Sequence, residues 1–234
     1  DIPAGISNPS IDLRDTFMTT FNTLKIMKER GIKIIHFASS SAIYGDLAGI
    51  RLREDMGPLL PISSYAAMKL ASEAIISVAL EDFLDHCFIY RFCNVIGVPA
   101  THGVILDFIK KLKISPNQLH VLGDGTQKKN YIHLEELLTA MLFIRQNSKE
   151  KMSFYNIGPL DEGITVKEIA ECVVNSFSPK ANIIYGSGSK GWTGDISKVA
   201  YSIQKLIDLG WSPQMTSHES VSLAVKQIID QETQ

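Results

Sequence analysis

The sequence predicts an α/β protein built on a doubly wound parallel sheet, and three observations lead to this fold class. Apolar runs of strand length alternate with longer segments of helical periodicity, an order typical of parallel sheets covered by helices. The run 32–38 is largely apolar, which indicates a strand buried on both faces. The segment 65–84 is apolar on nearly every side when placed on a helix, so we expect neighbours around most of it.

The predicted elements follow each other in a helix–strand–helix–strand order. Residues 1–10 contain two prolines and a glycine, and we expect a loop there. A helix is predicted over 11–30, because apolar residues recur at helical spacing and Gly31 follows. Next come the strand 32–38, the helix 65–84, a strand over 87–95, a helix over 134–145, a strand over 154–157 and two capping boxes, Thr165 with Glu168 and Thr216 with Glu219.

Composition and charge argue against several classes of protein. The formal net charge is −2, from 23 Lys and Arg against 25 Asp and Glu, so nothing indicates a nucleic-acid-binding or membrane-surface protein. No apolar run approaches the roughly 18 residues of a membrane span. The three cysteines are odd in number and widely spaced, which fits a reducing cytoplasm better than a disulfide framework. Six scattered histidines show no ligand spacing, and we expect no metal site.

The most informative residues are Tyr65 and Lys69, at the start of the predicted helix 65–84. Their spacing places both side chains on one helix face, so the Lys69 ammonium can stabilise the Tyr65 phenolate. A tyrosine with a pKa of about 10 is only about 0.1% ionised at neutral pH, and lowering that pKa by about 3 units takes about 4 kcal/mol. The serines that follow the strand 32–38 can hold a substrate hydroxyl while Tyr65 takes its proton.

The spacing alone is a weak signal, because Tyr201 and Lys205 repeat it. By default, such a pair is a surface tyrosine one helical turn from a solvated lysine. No apolar strand that ends in serines precedes Tyr201 at a suitable distance, whereas one precedes Tyr65. We therefore predict a functional pair at Tyr65 and Lys69 only.

These residues resemble the extended short-chain dehydrogenase/reductase family, which includes the nucleotide-sugar epimerases and dehydratases. The family carries Ser-x-x-x-Tyr-Gly and then Tyr-x-x-x-Lys. Counting back four residues from Tyr44 gives Ser40, and Tyr65 follows 25 residues later, as in the family. The resemblance implies a Rossmann-like sheet and NAD as cofactor, with the cationic nicotinamide ring helping Lys69 to lower the pKa of Tyr65. It also implies catalytic roles for Ser40, Tyr65 and Lys69, cofactor contacts from Ser39, Ser40, Tyr65 and Lys69, and a substrate contact from Ser41.

The resemblance continues through the rest of the chain. Asn94 opens an Asn-x-x-Gly-x-Pro segment, Val104 follows Gly103 at the start of another helix, and Lys129 follows Gly-Asp-Gly-x-Gln-Lys. In the family these segments contact the nucleotide sugar, so the resemblance implies substrate contacts from Asn94, Val104 and Lys129. An asparagine that only caps a strand end is the alternative for Asn94. The family has arginine where this chain has Lys129, and lysine meets a phosphate as a point charge without the bidentate fork.

The family's glycine-rich cofactor turn, Gly-x-x-Gly-x-x-Gly, is not found in this sequence. We therefore expect that roughly 70–80 residues of a dinucleotide-binding half, the N-terminal part of the fold, are missing. We also expect that these 234 residues alone do not bind NAD. A Gly-x-Gly-x-x-Gly occurs over 186–191, but Gly194 disfavours the helix that this motif must open. We expect a loop there that contributes Lys190 or Trp192 to the substrate pocket.

The residue two positions before Tyr44 distinguishes reactions within the family. Dehydratases place a glutamate there and fucose-synthase-like members a cysteine, whereas this chain has Ala42, which can move no proton. The resemblance therefore implies a 4-epimerase that oxidises one carbinol transiently and reduces it again, with UDP-glucose/galactose or an N-acetylated relative as first substrate. The alternatives are a nucleotide-sugar reductase or decarboxylase of the same family, and a cofactor-less binding protein without catalytic activity.

The predicted domain organisation separates cofactor from substrate. Residues 1–97 and 130–157 are predicted to form a partial NAD-binding domain, and residues 98–129 and 158–234 a smaller C-terminal α/β domain for the nucleotide sugar. Family members often dimerise through a four-helix bundle, and an all-round apolar helix would otherwise expose more apolar surface than monomers usually do. We expect a homodimer through helices 11–30 and 65–84, located in the cytoplasm.

Overall fold

The computed structural model describes residues 2–47, 50–188 and 200–233. The α-helices in these ranges are α1 (Ile2–Ser7), α2 (Pro9–Asp12), α3 (Thr19–Arg30), α4 (Ser64–Asp82), α5 (Val104–Ile114), α6 (Leu134–Asn147), α7 (Val166–Phe177), α8 (Gln204–Leu209) and α9 (Ser217–Thr233). The strands are β1 (Ile34–Ser40), β2 (Arg51–Leu52), β3 (His86–Phe92), β4 (Asn94–Ile96), β5 (Gln118–Val121), β6 (Lys128–Lys129), β7 (Tyr131–His133), β8 (Met152–Ile157), β9 (Ile164–Thr165), β10 (Asn182–Tyr185) and β11 (Ala200–Tyr201). A π-helical segment at Leu13–Met18 joins α2 to α3, and a 3₁₀ turn at Ser41–Tyr44 follows β1.

The chain divides into two compact units. The first contains residues 1–92, 140–157 and 201–212, and the second contains residues 93–139, 158–200 and 213–234. These boundaries differ from the predicted domains at residues 93–97, 130–139 and 201–212. The assignment of one part to the cofactor and the other to the sugar stays a prediction.

A parallel sheet forms the centre of the first unit, with its strands in the order β1-β3-β8. Strands β1 and β3 pair from Ile34 with His86 to Ser40 with Phe92. Parallel neighbours need a crossover connection, and α4 provides it here. Helices α3 and α4 meet the sheet in one buried apolar cluster, formed by Leu24, Met27, Ile35, Phe37, Ile76, Ala79, Leu84, Cys87 and Ile89.

Strand β1 is buried on one face only among the described residues. Ile35, Phe37 and Ser39 are buried, whereas His36 and Ala38 between them are exposed. The expectation of burial on both faces is therefore wrong for this strand. The strand also begins two residues later than predicted, because the chain first turns at Gly31, which ends α3 with a φ of 66°.

Residues near the N-terminus are helical, and the predicted loop over 1–10 is wrong. The Asn8 side chain accepts a hydrogen bond of 3.1 Å from the backbone nitrogen of Ser10, and Pro9 is the first residue of α2. Asparagine and proline favour helix starts as strongly as turns, because an N-cap needs a side-chain acceptor and the first helical position needs no N–H donor. Proline, one of the residue types that indicated a loop, therefore marks a helix start here.

The second unit is built from short strand pairs and a helical core. Strands β4 and β7 are parallel, as are β5 and β10, and β6 and β9 are antiparallel. Both predicted capping boxes are present. Glu168 accepts from Thr165 N at 2.7 Å, and Glu219 accepts from Thr216 N at 2.8 Å. Helices α5, α7 and α9 share an apolar core that includes Ile105, Phe108, Ile109, Leu112, Ile169, Val173, Val221, Ala224, Val225 and Ile228.

Candidate active site

Helix α4 begins with a serine cap that fixes the first turn. The Ser63 side chain accepts a hydrogen bond of 3.2 Å from the backbone nitrogen of Ala66, which satisfies one of the N–H groups that a helix start leaves unpaired. Tyr65 lies in this first turn, and Lys69 follows one turn later. The two side chains therefore share one face of the helix, as their spacing predicts.

Ser40 is the last residue of β1 and the cap of the 3₁₀ turn that follows. Its side-chain oxygen accepts a hydrogen bond of 3.2 Å from the backbone nitrogen of Ala42. The Ser40 hydroxyl lies close enough to the Tyr65 phenol to lower its pKa. The fold thus joins two predicted residues that lie 25 positions apart, at the carboxyl end of a parallel strand, where α/β folds bind their ligands.

The pKa of Tyr65 lies above the ordinary tyrosine value in the chain by itself. Burial raises this pKa, the hydrogen bond with Ser40 lowers it, and the negative charge of Asp12 raises it. Burial outweighs the hydrogen bond, so a phenolate at neutral pH needs further positive charge near the hydroxyl. The lowering of the Tyr65 pKa by Lys69 and a nicotinamide ring stays a prediction.

Lys69 is held against β1 beside the Tyr65 ring. Its Nζ donates a hydrogen bond of 2.8 Å to the carbonyl oxygen of Ala38 and lies 5.7 Å from the centre of the Tyr65 ring. Burial lowers the pKa of Lys69. An ammonium has three N–H donors, so the bond to Ala38 leaves donors for the hydroxyls of a ligand. An ammonium, a phenol and a serine hydroxyl in one place fit the ribose and nicotinamide end of NAD.

The serines on either side of Ser40 have different surroundings. Ser39 is only 1% exposed, and its hydroxyl donates a hydrogen bond of 2.5 Å to Oε1 of Glu73. The Ser39 hydroxyl is thus bound to Glu73, and the predicted cofactor contact of Ser39 stays a prediction. Ser41 opens the 3₁₀ turn and is half-buried, and it stays a predicted substrate contact.

Sequence reasoning missed a buried ion pair behind these serines. Glu73 on α4 is 3% exposed and Arg91 on β3 is 5% exposed. Arg91 donates from Nε to Oε1 of Glu73 at 3.1 Å and from Nη2 to Oε2 at 2.7 Å. Burial lowers the pKa of Arg91, but Glu73 and Tyr44 together raise it by more, so the net shift of this pKa is upward. The available signals were an arginine inside an apolar strand and a glutamate four residues after Lys69.

The same network continues to the 3₁₀ turn after β1. Arg91 Nη1 donates to the Tyr44 hydroxyl at 3.1 Å, and that hydroxyl donates to Oδ1 of Asn156 on β8 at 2.8 Å. Burial raises the pKa of Tyr44, so this phenol stays a neutral donor at neutral pH. One hydrogen-bonded chain of buried side chains therefore links α4, the three strands of the sheet and the turn that follows Ser40.

The predicted substrate residues of the second unit lie on three different elements. Asn94 begins β4 and is exposed, and its Nδ2 donates a hydrogen bond of 3.1 Å to the carbonyl oxygen of Asn130. Val104 is the first residue of α5, after Gly103, and Lys129 is a half-buried residue of β6. The hydrogen bond of Asn94 is of the kind expected from a strand-end asparagine. Contact of these residues with a substrate stays a prediction.

Two other predictions concern the segment after β10. Lys190 and Trp192 lie outside the described residues, as does the end of the glycine-rich stretch 186–191. The second tyrosine–lysine pair is divided between elements, since Tyr201 belongs to β11 and Lys205 to α8. Lys205 pairs with Glu150 at 2.8 Å. Only the pair at Tyr65 and Lys69 therefore shares one helix face.

Residues 2–47, 50–188 and 200–233 contain neither a membrane-spanning helix nor a cluster of metal ligands. No helix within them is long and apolar enough to cross a membrane. Within the same ranges, no group of three or more His, Cys, Asp or Glu side chains could hold a metal ion. Cys87, Cys93 and Cys172 form no disulfide.

Comparison with known protein families decides the family of this chain. Residues 1–158, more than half of the chain, match the NAD dependent epimerase/dehydratase family. The chain belongs to this family. The predicted resemblance to the extended short-chain dehydrogenases and their epimerases is thereby confirmed, and NAD, the predicted cofactor, is the cofactor that the family name states.

Individual members of the NAD-dependent epimerase/dehydratase family are similar over nearly the whole chain. GDP-mannose 3,5-epimerase of Arabidopsis thaliana is 28% identical over 240 residues, which is 97% of this chain and 62% of that protein. The crystal structure of a UDP-galactose 4-epimerase is 30% identical, with a TM-score of 0.85 over 96% of this chain and 72% of its own. The UDP-glucose 4-epimerase of Thermus thermophilus, solved in complex with NAD, is 25% identical, with a TM-score of 0.81 over 98% and 74%.

These comparisons confirm the predicted α/β fold class. They also show that the chain spans less than two thirds of the plant relatives that it matches. It covers 62% of the Arabidopsis protein and 56% of GDP-mannose 3,5-epimerase 1 from rice. The activity, substrate and partners of the whole protein are therefore matters for proposal.

Proposed function

We propose that this protein is an NAD-dependent nucleotide-sugar epimerase, and specifically a 4-epimerase of UDP-hexoses. The observation that carries the proposal is the position of the Lys69 ammonium, which bonds to the carbonyl oxygen of Ala38 at 2.8 Å and lies 5.7 Å from the Tyr65 ring centre, at the end of β1 that carries Ser40. A phenol beside a serine hydroxyl and a cation can move a proton to and from a carbinol oxygen. The similarity to solved UDP-galactose and UDP-glucose 4-epimerases supports the same reaction class.

In the proposed reaction, Tyr65 takes the proton of the sugar 4-hydroxyl and later returns a proton to the same oxygen. Ser40 hydrogen-bonds to that oxygen, and Lys69 adds positive charge that favours the phenolate of Tyr65. When bound, NAD would supply the hydride chemistry: acceptance of the hydride from C4 and return of that hydride to the opposite face of the sugar. Ser40, Tyr65 and Lys69 would hold the nicotinamide and its ribose.

Ala42 supports epimerisation at one carbinol over the other reactions of the family. Removing a proton from a carbon atom of the ring, as a dehydratase or a 3,5-epimerase must, needs an acid/base group beyond the one at the carbinol oxygen. A methyl side chain in the 3₁₀ turn after Ser40 provides none. The 28% identity to a GDP-mannose 3,5-epimerase is therefore weaker support for that activity than for the family.

Substrate contacts complete the proposal. The resemblance assigns the sugar nucleotide to Ser41, Asn94, Val104 and Lys129. Lys190 or Trp192, which lie outside the described residues, would add a further contact. Lysine at position 129 would meet the diphosphate as a point charge. A nucleotide-sugar reductase or decarboxylase, and a non-catalytic binding protein, are the competing functions.

Product analysis separates these functions in one experiment. The full natural chain is incubated with UDP-glucose, UDP-galactose, their N-acetylated forms, UDP-glucuronate, dTDP-glucose and GDP-mannose, and the sugars are resolved by NMR. We expect interconversion of the C4 epimers of a UDP-hexose without added NADPH. A stoichiometric requirement for NADPH would identify a reductase, and loss of CO₂ from UDP-glucuronate would identify a decarboxylase. Binding without any turnover would contradict the proposed enzyme.

The proposal includes a homodimer formed by α3 and α4. Val78 on α4 is 62% exposed and Phe21 on α3 is 43% exposed. Ala74, one turn before Val78, is also exposed, so small apolar side chains are available for close helix packing. The three free cysteines fit a reducing compartment, and we place the reaction in the cytoplasm.

A further inference from the structure

We propose that Glu73 is a positioning residue, which sets the place of Ser40 through the hydroxyl of Ser39. One face of α4 contacts each of the last three residues of β1, Ala38–Ser40. Lys69 bonds to the carbonyl of Ala38 at 2.8 Å and Glu73 accepts from Ser39 at 2.5 Å. Tyr65, one turn before Lys69, lies close enough to Ser40 for that hydroxyl to lower its pKa. Because these α4 residues recur every four positions, the two hydrogen bonds hold the strand end in register with the helix and keep Ser40 beside Tyr65.

Arg91 is what allows Glu73 to act as a fixed acceptor. A buried carboxylate needs a partner to stay ionised and in one orientation. The two hydrogen bonds from Arg91, at 3.1 and 2.7 Å, bind both oxygens of Glu73 and leave Oε1 directed at Ser39. The planar guanidinium matches the carboxylate in this bidentate form, so the Ser39 hydroxyl meets an acceptor whose position is already determined.

Arg91 also holds the chain on the other side of Ser40. Its Nη1 donates to the Tyr44 hydroxyl at 3.1 Å, and Tyr44 ends the 3₁₀ turn that Ser40 caps. Ser40 therefore lies in the chain between Ser39 and Tyr44. The Tyr44 hydroxyl binds the Arg91 guanidinium directly, and the Ser39 hydroxyl is connected to it through Glu73. The side chain of Ser40 itself makes none of these buried contacts and stays available to Tyr65 and a substrate.

The inference rests on the proposed function for its kinetic part, and it has a structural part that needs no substrate. If the hydrogen bond between Ser39 and Glu73 is lost, the strand end can shift and Ser40 can move away from Tyr65. The charged groups that face Tyr65 among the described residues are Asp12 on α2 and Lys69 on α4. Neither residue is substituted in Ser39→Ala, and Lys69 is bonded to Ala38 on the same strand end, so a change at Tyr65 reports on the position of the strand end Ala38–Ser40.

The test compares three serine variants of the full natural chain. Ser39→Ala removes the hydroxyl that Glu73 accepts, and Ser39→Thr restores a hydroxyl at the same place. Ser72→Ala is the matched control, because Ser72 is 0% exposed, adjoins Glu73 on α4 and has a hydroxyl without a hydrogen-bond partner among the described residues. The measurements are kcat, KM, the pH profile of kcat/KM and the ¹³Cζ resonance of Tyr65, assigned by its absence in Tyr65→Phe.

We expect Ser39→Ala to lower kcat by roughly 10- to 100-fold, with KM little changed. In this variant the acidic limb of the pH profile of kcat/KM should move to higher pH. Ser40 lowers the pKa of Tyr65, and this pKa rises when Ser40 moves away. The Tyr65 resonance of Ser39→Ala should shift, while Ser39→Thr recovers most of the rate and Ser72→Ala matches the wild type.

An unmoved resonance and pH profile in Ser39→Ala would overturn the proposal, even if stability fell. A shifted resonance in a protein that turns over no sugar would support positioning and contradict the epimerase.

Discussion

The ammonium of Lys69 donates a hydrogen bond of 2.8 Å to the carbonyl oxygen of Ala38. This bond joins α4 to β1 two residues before Ser40, and it holds Nζ 5.7 Å from the centre of the Tyr65 ring. A free lysine side chain carries about 2 kcal/mol of rotamer entropy. Because part of this freedom is already lost in the folded chain, the ammonium needs little rearrangement to act on Tyr65.

Replacing Tyr65 with phenylalanine should abolish most of the turnover. The variant keeps the ring and loses the hydroxyl that transfers the proton, so we expect kcat to fall by roughly 10²–10⁴-fold. Steady-state kinetics on the best nucleotide sugar measures this. Tyr201→Phe is the matched control, since Tyr201 lies in a strand and shares no helix with Lys205. Equal losses in the two variants would show that the site is assigned to the wrong tyrosine.

Arg91 should be far more important for stability than exposed cations. Arg91→Leu leaves the Glu73 carboxylate buried and unpaired, and we expect the free energy of unfolding to fall by about 3–5 kcal/mol. Lys28→Met removes an exposed pair with Asp82, at 2.5 Å, and should cost about 0–1 kcal/mol. Urea unfolding followed by circular dichroism compares them. Similar losses in both variants would mean that the Arg91 pair is not the buried anchor described here.

Dimer formation through α3 and α4 should depend on Val78. Val78→Glu places a charge on the exposed apolar strip of α4, so a dimer held by that strip should dissociate. Light scattering after size exclusion should then give twice the chain mass for the wild type and the chain mass for the variant. Ile114→Glu changes an even more exposed apolar residue, 86% exposed, on α5, and should leave the dimer intact. An active wild-type monomer at micromolar concentration would rule this interface out.

The cysteines should differ in reactivity in a pH-dependent way. Burial raises the pKa of Cys87 to about 11 and also raises that of Cys93. The thiolate is the reactive form, and its fraction at Cys87 grows only as the pH rises toward this value. Iodoacetamide at pH 8 should therefore label the half-buried Cys172 first, with Cys87 labelled after unfolding in urea. Mass spectrometry of the peptides measures this order, and equal labelling in the folded protein would contradict the burial of Cys87.

The sequence was sufficient for features that depend on local spacing. Tyr65 and Lys69 share a helix face because the helical period brings residues four apart together, and the two capping boxes form because their partners lie three residues apart. Residues 2–12 show the limit of local signals. Asn8 and Pro9 favour a turn and a helix start alike, and the packing of this segment against α4 favours the helix.

The sequence by itself determined the fold class, the family, and the tyrosine and lysine of the candidate site. The alternating periodicity predicts the fold class, and the short motifs predict the family and the two site residues. Only the tertiary structure decided that Ser39 donates to Glu73, and that Arg91 binds Glu73 and Tyr44. These contacts join residues 18 to 47 positions apart. Which of three adjacent serines is buried depends on the register of β1 against α4, and that register is set by the packing of the whole unit.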